Sequence, residues 1–201
     1  MDKLHPIIHA AGIEERPPDW AVMSPARISH ARRVGRLMRD WADALGHDRE
    51  TRIRWRATGL LHDAYKEEAV EALSPLVDAA EEWPDPLLHG PACANRLRAS
   101  GVDDEPLLRA IAFHTTGHRD LDALGQALYM ADFLEPGRIG SGQERASLRR
   151  RMPHDWPAVL ADVATVKIGI LIDCLIPVSR ATAGFWEAIT GPVVANRETV
   201  D

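Results

Sequence analysis

Cysteine is scarce in this chain, two in 201 residues, and Cys93 and Cys174 stand far apart with no CxxC spacing. A disulfide framework and a zinc knuckle both need clustered thiols, so neither is available. The pair reads as two small core residues in a reducing cytosol. Basic charge is also in short supply: the net charge is -6 and the isoelectric point about 5.8. DNA, RNA and anionic membranes require an excess of Lys and Arg on one face, which excludes them as broad partners. Any phosphate must then meet a local cationic site. Long apolar runs are missing as well. Pro6, Glu14, Glu15, Arg16, Pro17 and Pro18 break the first segment, which leaves no stretch of signal-peptide length. The most apolar window, Ile168 to Val178, contains Asp173 and Pro177 and falls short of the roughly 20 residues that cross a bilayer. It reads as a buried core helix, and the chain as a cytoplasmic protein. No fixed-period repeat is visible. No segment alternates apolar and polar residues over a strand's length, so the fold class is all-α.

What is present is helix punctuation. Apolar residues make up 45% of the chain, enough for one well-buried core. Ser24 before Pro25 reads as an N-cap with a first-turn proline, and that helix runs through Val34, Met38 and Trp41 to Gly46, with His30 early in it. Asp48 opens a second helix that delivers His62-Asp63 near its end. A short piece covers Glu68 to Leu73, before the Ser74-Pro75 break. His89 begins a helix that ends near Gly101. Asp103 or Asp104 with Pro106 starts another that finishes at His114-Thr115-Thr116-Gly117, and Leu121 to Glu135 carries Asp132 until Pro136 stops it. Ser141 to Glu144 matches a capping box ahead of a basic helix to Met152. Asp155 and Pro157 start an apolar helix to about Leu175, and Val178 to Ile189 is the last, stopped by Gly191. The domain reading is an extension over 1–23, one helical domain over 24–190 and a tail over 191–201.

Four histidines and two aspartates, His30, His62, Asp63, His89, His114 and Asp132, fall in these helices or at their ends. A lone helical histidine is usually a satisfied core or surface residue, and His5, His9, His47 and His154 are left in that class. Six such groups can converge only if the bundle encloses a polar pocket. Imidazole and carboxylate together suit Mn, Fe, Co or Zn better than Mg, which prefers an all-oxygen shell. Adjacent residues on a helix point about 100° apart. His62 and Asp63 therefore approach one metal from different sides, or the carboxylate bridges to a second.

The blocks Arg27-Ile28-Ser29-His30, Gly59 to Lys66, Ile111 to Gly117 and Tyr129 to Arg138, together with His89, resemble the HD-domain superfamily of metal-dependent phosphohydrolases. Within it they are most similar to the YqeK-like branch of symmetrical diadenosine tetraphosphate hydrolases. His-Thr-Thr-Gly followed by Ala-Asp-x-x-Glu-Pro-x-Arg carries the branch, whereas His-Asp alone marks the superfamily. Residues 1–23 and the basic Arg145 to Arg151 helix depart from the pattern. The resemblance implies a helical bundle with an interior metal site. His30, His62, Asp63 and Asp132 hold one ion there, and His89 and His114 complete a second position with Asp63 bridging. Iron is the expected metal, one or two ions per chain. Two ions about 3.5 to 4 Å apart clamp a phosphoryl oxygen and activate water, so Asp63 counts as catalytic too.

Around this set, Lys66 would reach substrate phosphate if its helix continued, standing at i+4 from His62. Arg138 offers a planar fork beyond Pro136. Arg27 reads either as a phosphate contact or as a partner to a metal ligand. Thr115 and Thr116 offer hydroxyls and N–H groups on a turn. His118 is a candidate proton donor to the leaving nucleotide, or else a surface histidine. Arg149-Arg150-Arg151 reads as a solvated helix end or an anion contact. The expected activity is cleavage of diadenosine tetraphosphate into two ADP by a monomer or homodimer. The rivals are a general nucleotidase of the same superfamily and a metal-loaded nucleotide-binding regulator without turnover.

Overall fold

The structure is a computed structural model that describes residues 4–78, 83–138 and 142–191. Ten α-helices and no strands occur among the described residues: α1 Pro6–Ile13, α2 Pro25–Ala44, α3 Arg49–Leu61, α4 Val70–Leu73, α5 His89–Ala99, α6 Glu105–Phe113, α7 Ala123–Leu134, α8 Gly142–Arg151, α9 Trp156–Asp173 and α10 Arg180–Thr190. Side-chain caps act where the sequence placed them. Ser24, Asp48 and Asp104 accept from the backbone N–H three residues on, which satisfies donors the first turn leaves open. Ser141, the expected start of a capping box, lies outside the described residues.

The helices α2 and α3 form the tightest pair, and the reason is the absence of two side chains. A Cβ on Gly59 would sit 2.6 Å from the Gly35 Cα, so the two backbones touch. That contact draws His30 on α2 towards His62 and Asp63 at the end of α3. Val34, Met38, Leu60 and Leu61 close the core on either side of it, and α7 covers it with Leu124, Leu128 and Met130.

The structure adds to some expectations and changes others. Residues 1–23 contain a helix, α1, which rests on α3 with Ile8 and Ala11 in the common core. Its sequence signal was only Pro6 at the first helical position. Just beyond it Glu15 takes Arg36 and Arg56, tying the segment to α2 and α3. The apolar window at the end of α9 is not buried: Ile172 is 60% and Leu175 91% exposed, and Ile170, Ile176 and Val178 are exposed too. Hydropathy fixed the helix there but not what covers it, and α10 packs on only part of α9. Cys174 is accordingly exposed, while Cys93 is buried with its thiol on the Leu61 carbonyl. Two arginines of α8, Arg149 and Arg151, are engaged, while Arg150 is exposed as expected of a solvated helix end. Arg149 donates to the Leu134 carbonyl, and Arg151 pairs with Asp155 and Asp162.

Candidate metal centre

Each of three histidines sits where a helix begins or ends, and the same local device aims all three. His62 follows α3, His89 opens α5 and His114 follows α6. Their Nδ1 atoms meet the carbonyls three residues earlier, Gly59 at 2.8 Å, Pro86 at 3.1 Å and Ile111 at 2.7 Å. A carbonyl can only accept, so Nδ1 carries the proton and Nε2 presents a lone pair inward. His30 is held differently. Its Nδ1 lies 3.2 Å from Glu135, a carboxylate only 2% exposed that also takes Arg33 and the Gly137 N–H.

Asp63 stands between the rings. Its Oδ2 is 3.6 Å from His30 Nε2 and 3.4 Å from His62 Nε2, and its Oδ1 is 3.5 Å from both His89 Nε2 and His114 Nε2. One carboxylate oxygen therefore faces each pair of histidines. Asp132 on α7 closes the first group, 3.2 Å from His30 Nε2 and 3.8 Å from His62 Nε2. Two triads have donor atoms within 4.8 Å of one another, His30-His62-Asp132 and His62-Asp63-His114. All six sequence candidates come together.

The donor set fits a divalent transition metal. The Nε2 atoms of His30 and His62 are buried without a hydrogen-bond partner. Those of His89 and His114 face each other at 3.2 Å, where two lone pairs repel unless a cation offsets them. Electrostatics agree. Burial opposes charge on Asp63, but His62 and His114 outweigh it and hold the carboxyl well below its usual range. Burial likewise opposes Asp132, and His30 and Arg138 overcome it. Burial drives His89 down to about 3, with His114 and Lys66 adding to the shift, and burial lowers His114 too. Both rings are thus neutral and able to ligate.

The flanking residues divide. Lys66 reaches the site without the expected helix: α3 stops at Leu61, and tight turns follow in which Lys66 N–H meets the Asp63 carbonyl at 3.0 Å. Its ammonium lies 3.4 Å from both the Pro86 carbonyl and His89 Nδ1, beside a cavity of about 320 Å³ lined by Lys66, Glu68, Val70, Leu73, Asp85, Pro86 and His89. Arg138 folds back and pairs with Asp132 through side chain and carbonyl. Arg27, left with two roles, donates to Asp63 Oδ2 at 2.7 Å. Thr116 is buried and spends its hydroxyl on the Gly117 carbonyl, whereas Thr115 is half-buried. His118 is not drawn into the cluster: it stacks 4.4 Å from the Phe113 ring and accepts the Asp120 N–H.

Sequence reading missed three residues here. Glu135 and Arg33 lie about a hundred positions apart along the chain and meet only in the fold. The third is Lys167 on α9, whose ammonium lies 3.4 Å from the His114 carbonyl and 3.6 Å from the centre of the Tyr129 ring. Burial brings its pKa down to about 8. It occupies a register position that otherwise carries core residues, a signal that could have been read. A larger recess of about 490 Å³ between α1, α2 and α3, lined by Gly12, Arg39, Asp43, Arg52 and Arg56, contains none of the candidate residues.

Known proteins place this centre in context. The chain is 30% identical over 123 residues to the symmetrical bis(5'-nucleosyl)-tetraphosphatase of Staphylococcus aureus, covering 58% of this chain and 62% of that one. It is 42% identical over 83 residues to the enzyme of the same name from Halalkalibacterium halodurans, covering 41% and 44%. The chain thus spans less than two thirds of the curated relatives it matches. Its fold is similar to the crystal structure of a predicted HD superfamily hydrolase involved in NAD metabolism from Clostridium acetobutylicum. The TM-score there is 0.73 at 27% identity, over 84% of this chain and 90% of that one. Residues 27–137 match the HD domain, a metal-binding domain, and that span holds all six of the converging side chains and more than half of the sequence. The chain belongs to the HD domain family.

Proposed function

We propose that the protein hydrolyses a dinucleoside tetraphosphate, with diadenosine tetraphosphate as substrate, at its central bridge to give two ADP. One observation carries the reading: Asp63 turns one oxygen to His30 and His62 and the other to His89 and His114. That is the arrangement a shared carboxylate needs between two cation positions. Names borne by the relatives supply the substrate. His30, His62, Asp63 and Asp132 would hold one ion, and His89 and His114, with Asp63, the other. The mixed nitrogen and oxygen donors favour a transition metal, and iron is our assignment. When bound, such ions supply Lewis acidity and a water of lowered pKa.

The chain's own residues do the rest. Glu135 and the three backbone carbonyls fix which imidazole nitrogen bears the proton and so keep the rings oriented. Arg27 holds Asp63 in place through its hydrogen bond to Oδ2. Lys66 approaches from the His89 side, where its ammonium offsets phosphate charge in a site that excludes much of the water. Arg138 does the same beside Asp132, exchanging part of its ion pair for phosphate oxygens. The leaving ADP departs as an anion near neutral pH, so no side-chain proton donor is required, and His118 has no part in this scheme. Thr115 is left to donate to a phosphate oxygen.

Protein purified without added metal, analysed for its elements and incubated with diadenosine tetraphosphate, tests this directly. Iron at one or more per chain and ADP as sole product are expected. ATP with AMP would overturn symmetric cleavage. Faster turnover of mononucleotides in the same panel would favour a general nucleotidase.

A further inference from the structure

The buried stripe of α9 runs Val159, Leu160, Val163, Ala164, the spacing by which a helix lays one face on a core. Lys167 is the next position of that stripe. Its stem follows the apolar face and its ammonium emerges over Tyr129, one turn before Asp132 on α7 and against the His114 carbonyl. Among the described residues no carboxylate pairs with it, and the charges it feels are Asp132 and Arg138. A half-buried cation costs free energy to desolvate unless an anion offsets that cost. A core register position would be better filled by Leu or Met. Lys66 is in a similar condition near His89, where its close neighbours are the Pro86 carbonyl and the imidazole ring.

We propose that Lys167 is a second phosphate-binding lysine of this site, receiving the phosphates that extend past His114 and Asp132 as Lys66 receives those that extend past His89. This rests on the hydrolase reading above and deepens it. A substrate with two nucleoside arms and a scissile centre has phosphates on both sides of the cut, and two separate lysines, one beside His89 and one beside the His114 carbonyl, match the need for more than one cation along that chain of phosphates. The assignment makes α9 part of the site, beyond the HD-matching residues 27–137.

Inorganic pyrophosphate and ADP are the probes, with binding measured by calorimetry and by ligand-induced thermal shift on metal-loaded protein. Lys167→Met should weaken both about tenfold or more and raise the KM for diadenosine tetraphosphate to match, with metal content unchanged. Lys167→Arg should recover most of the loss. A lysine that merely braces α9 gives another pattern: Lys167→Met alters thermal stability while pyrophosphate affinity stays at the wild-type value, and that overturns the proposal. Reductive methylation of the unsubstituted protein provides the same decision without any variant. Protection of Lys167 by pyrophosphate supports the assignment, and equal labelling with and without it refutes it. Lys167-dependent pyrophosphate binding in a protein that yields no ADP would keep the lysine and remove the substrate.

Discussion

The two flanks of the candidate metal centre are held by different means. On one, His89 and His114 are each oriented by a carbonyl three residues back, so the chain positions these candidate ligands over a single turn. On the other, His30 and Asp132 depend on Glu135, Arg33 and Arg138, side chains brought together by the crossing of α2 and α7. Local geometry survives most substitutions, because backbone carbonyls cannot be mutated. A side-chain network can be dismantled one member at a time. The flank of His30 and Asp132 should therefore be the fragile one, and the protein can be tested against that expectation.

The largest effect should come from the group both flanks share. Asp63→Asn removes the anion facing all four imidazoles, and turnover should fall by at least about 10²–10³-fold, together with metal content by elemental analysis. Near-normal activity would dissolve the two-sided description altogether. Removing metal with a chelator leaves both flanks in place but unjoined. Ligand binding to the folded state alone stabilises by about 2.7 kcal/mol at a hundred times Kd. Calorimetry should thus show a midpoint about 5–10 °C lower for a chain of this size.

Glu135→Gln then separates the flanks. It removes the charge behind His30 and frees Arg33, so metal affinity by competition with a chelator should drop about 10- to 100-fold. An unchanged affinity would mean that His30 needs no help. On the opposite flank the accessible lesion is smaller: Lys66→Met should raise the substrate KM about tenfold through loss of one charge-assisted contact, with metal affinity retained. The smallest effect belongs to a region outside both. The guanidiniums of Arg36 and Arg56 hold the Glu15 carboxyl at about 2. A depressed carboxylate stabilises the fold above its unfolded value and loses that contribution as pH falls through the folded one. Glu15→Gln should thus cost about 1 kcal/mol at pH 7 in urea unfolding, with the difference from wild type shrinking below about pH 4.5 and turnover unaffected.

Much of this was legible in the sequence because it is local. Caps at Ser24, Asp48 and Asp104 and stops at Gly46 and Gly101 delimit helices within a few residues, and the six candidate ligands fall near those ends. What could not be read required two distant segments at once. Glu135 lies within a quoted motif, yet nothing in its neighbourhood says that it meets His30, 105 positions away. The continuation of α3 to Lys66 was a fair reading of periodicity, overruled by tight turns that still deliver the ammonium to His89. The window ending α9 was read as core because hydropathy records how oily a helix is and not which neighbour lies against it. Lys167 was passed over inside that same oily helix.

The bare contact between Gly35 and Gly59 has a reach that neither residue's chemistry suggests. A methyl group at either position would act as a wedge between α2 and α3, shifting His30 from His62 and Asp63 with no donor atom altered. The spacing of the candidate ligands would thereby be gauged by two residues that own no donor atom. A redesign for a larger or smaller metal would begin by re-spacing those helices and leave every histidine where it stands.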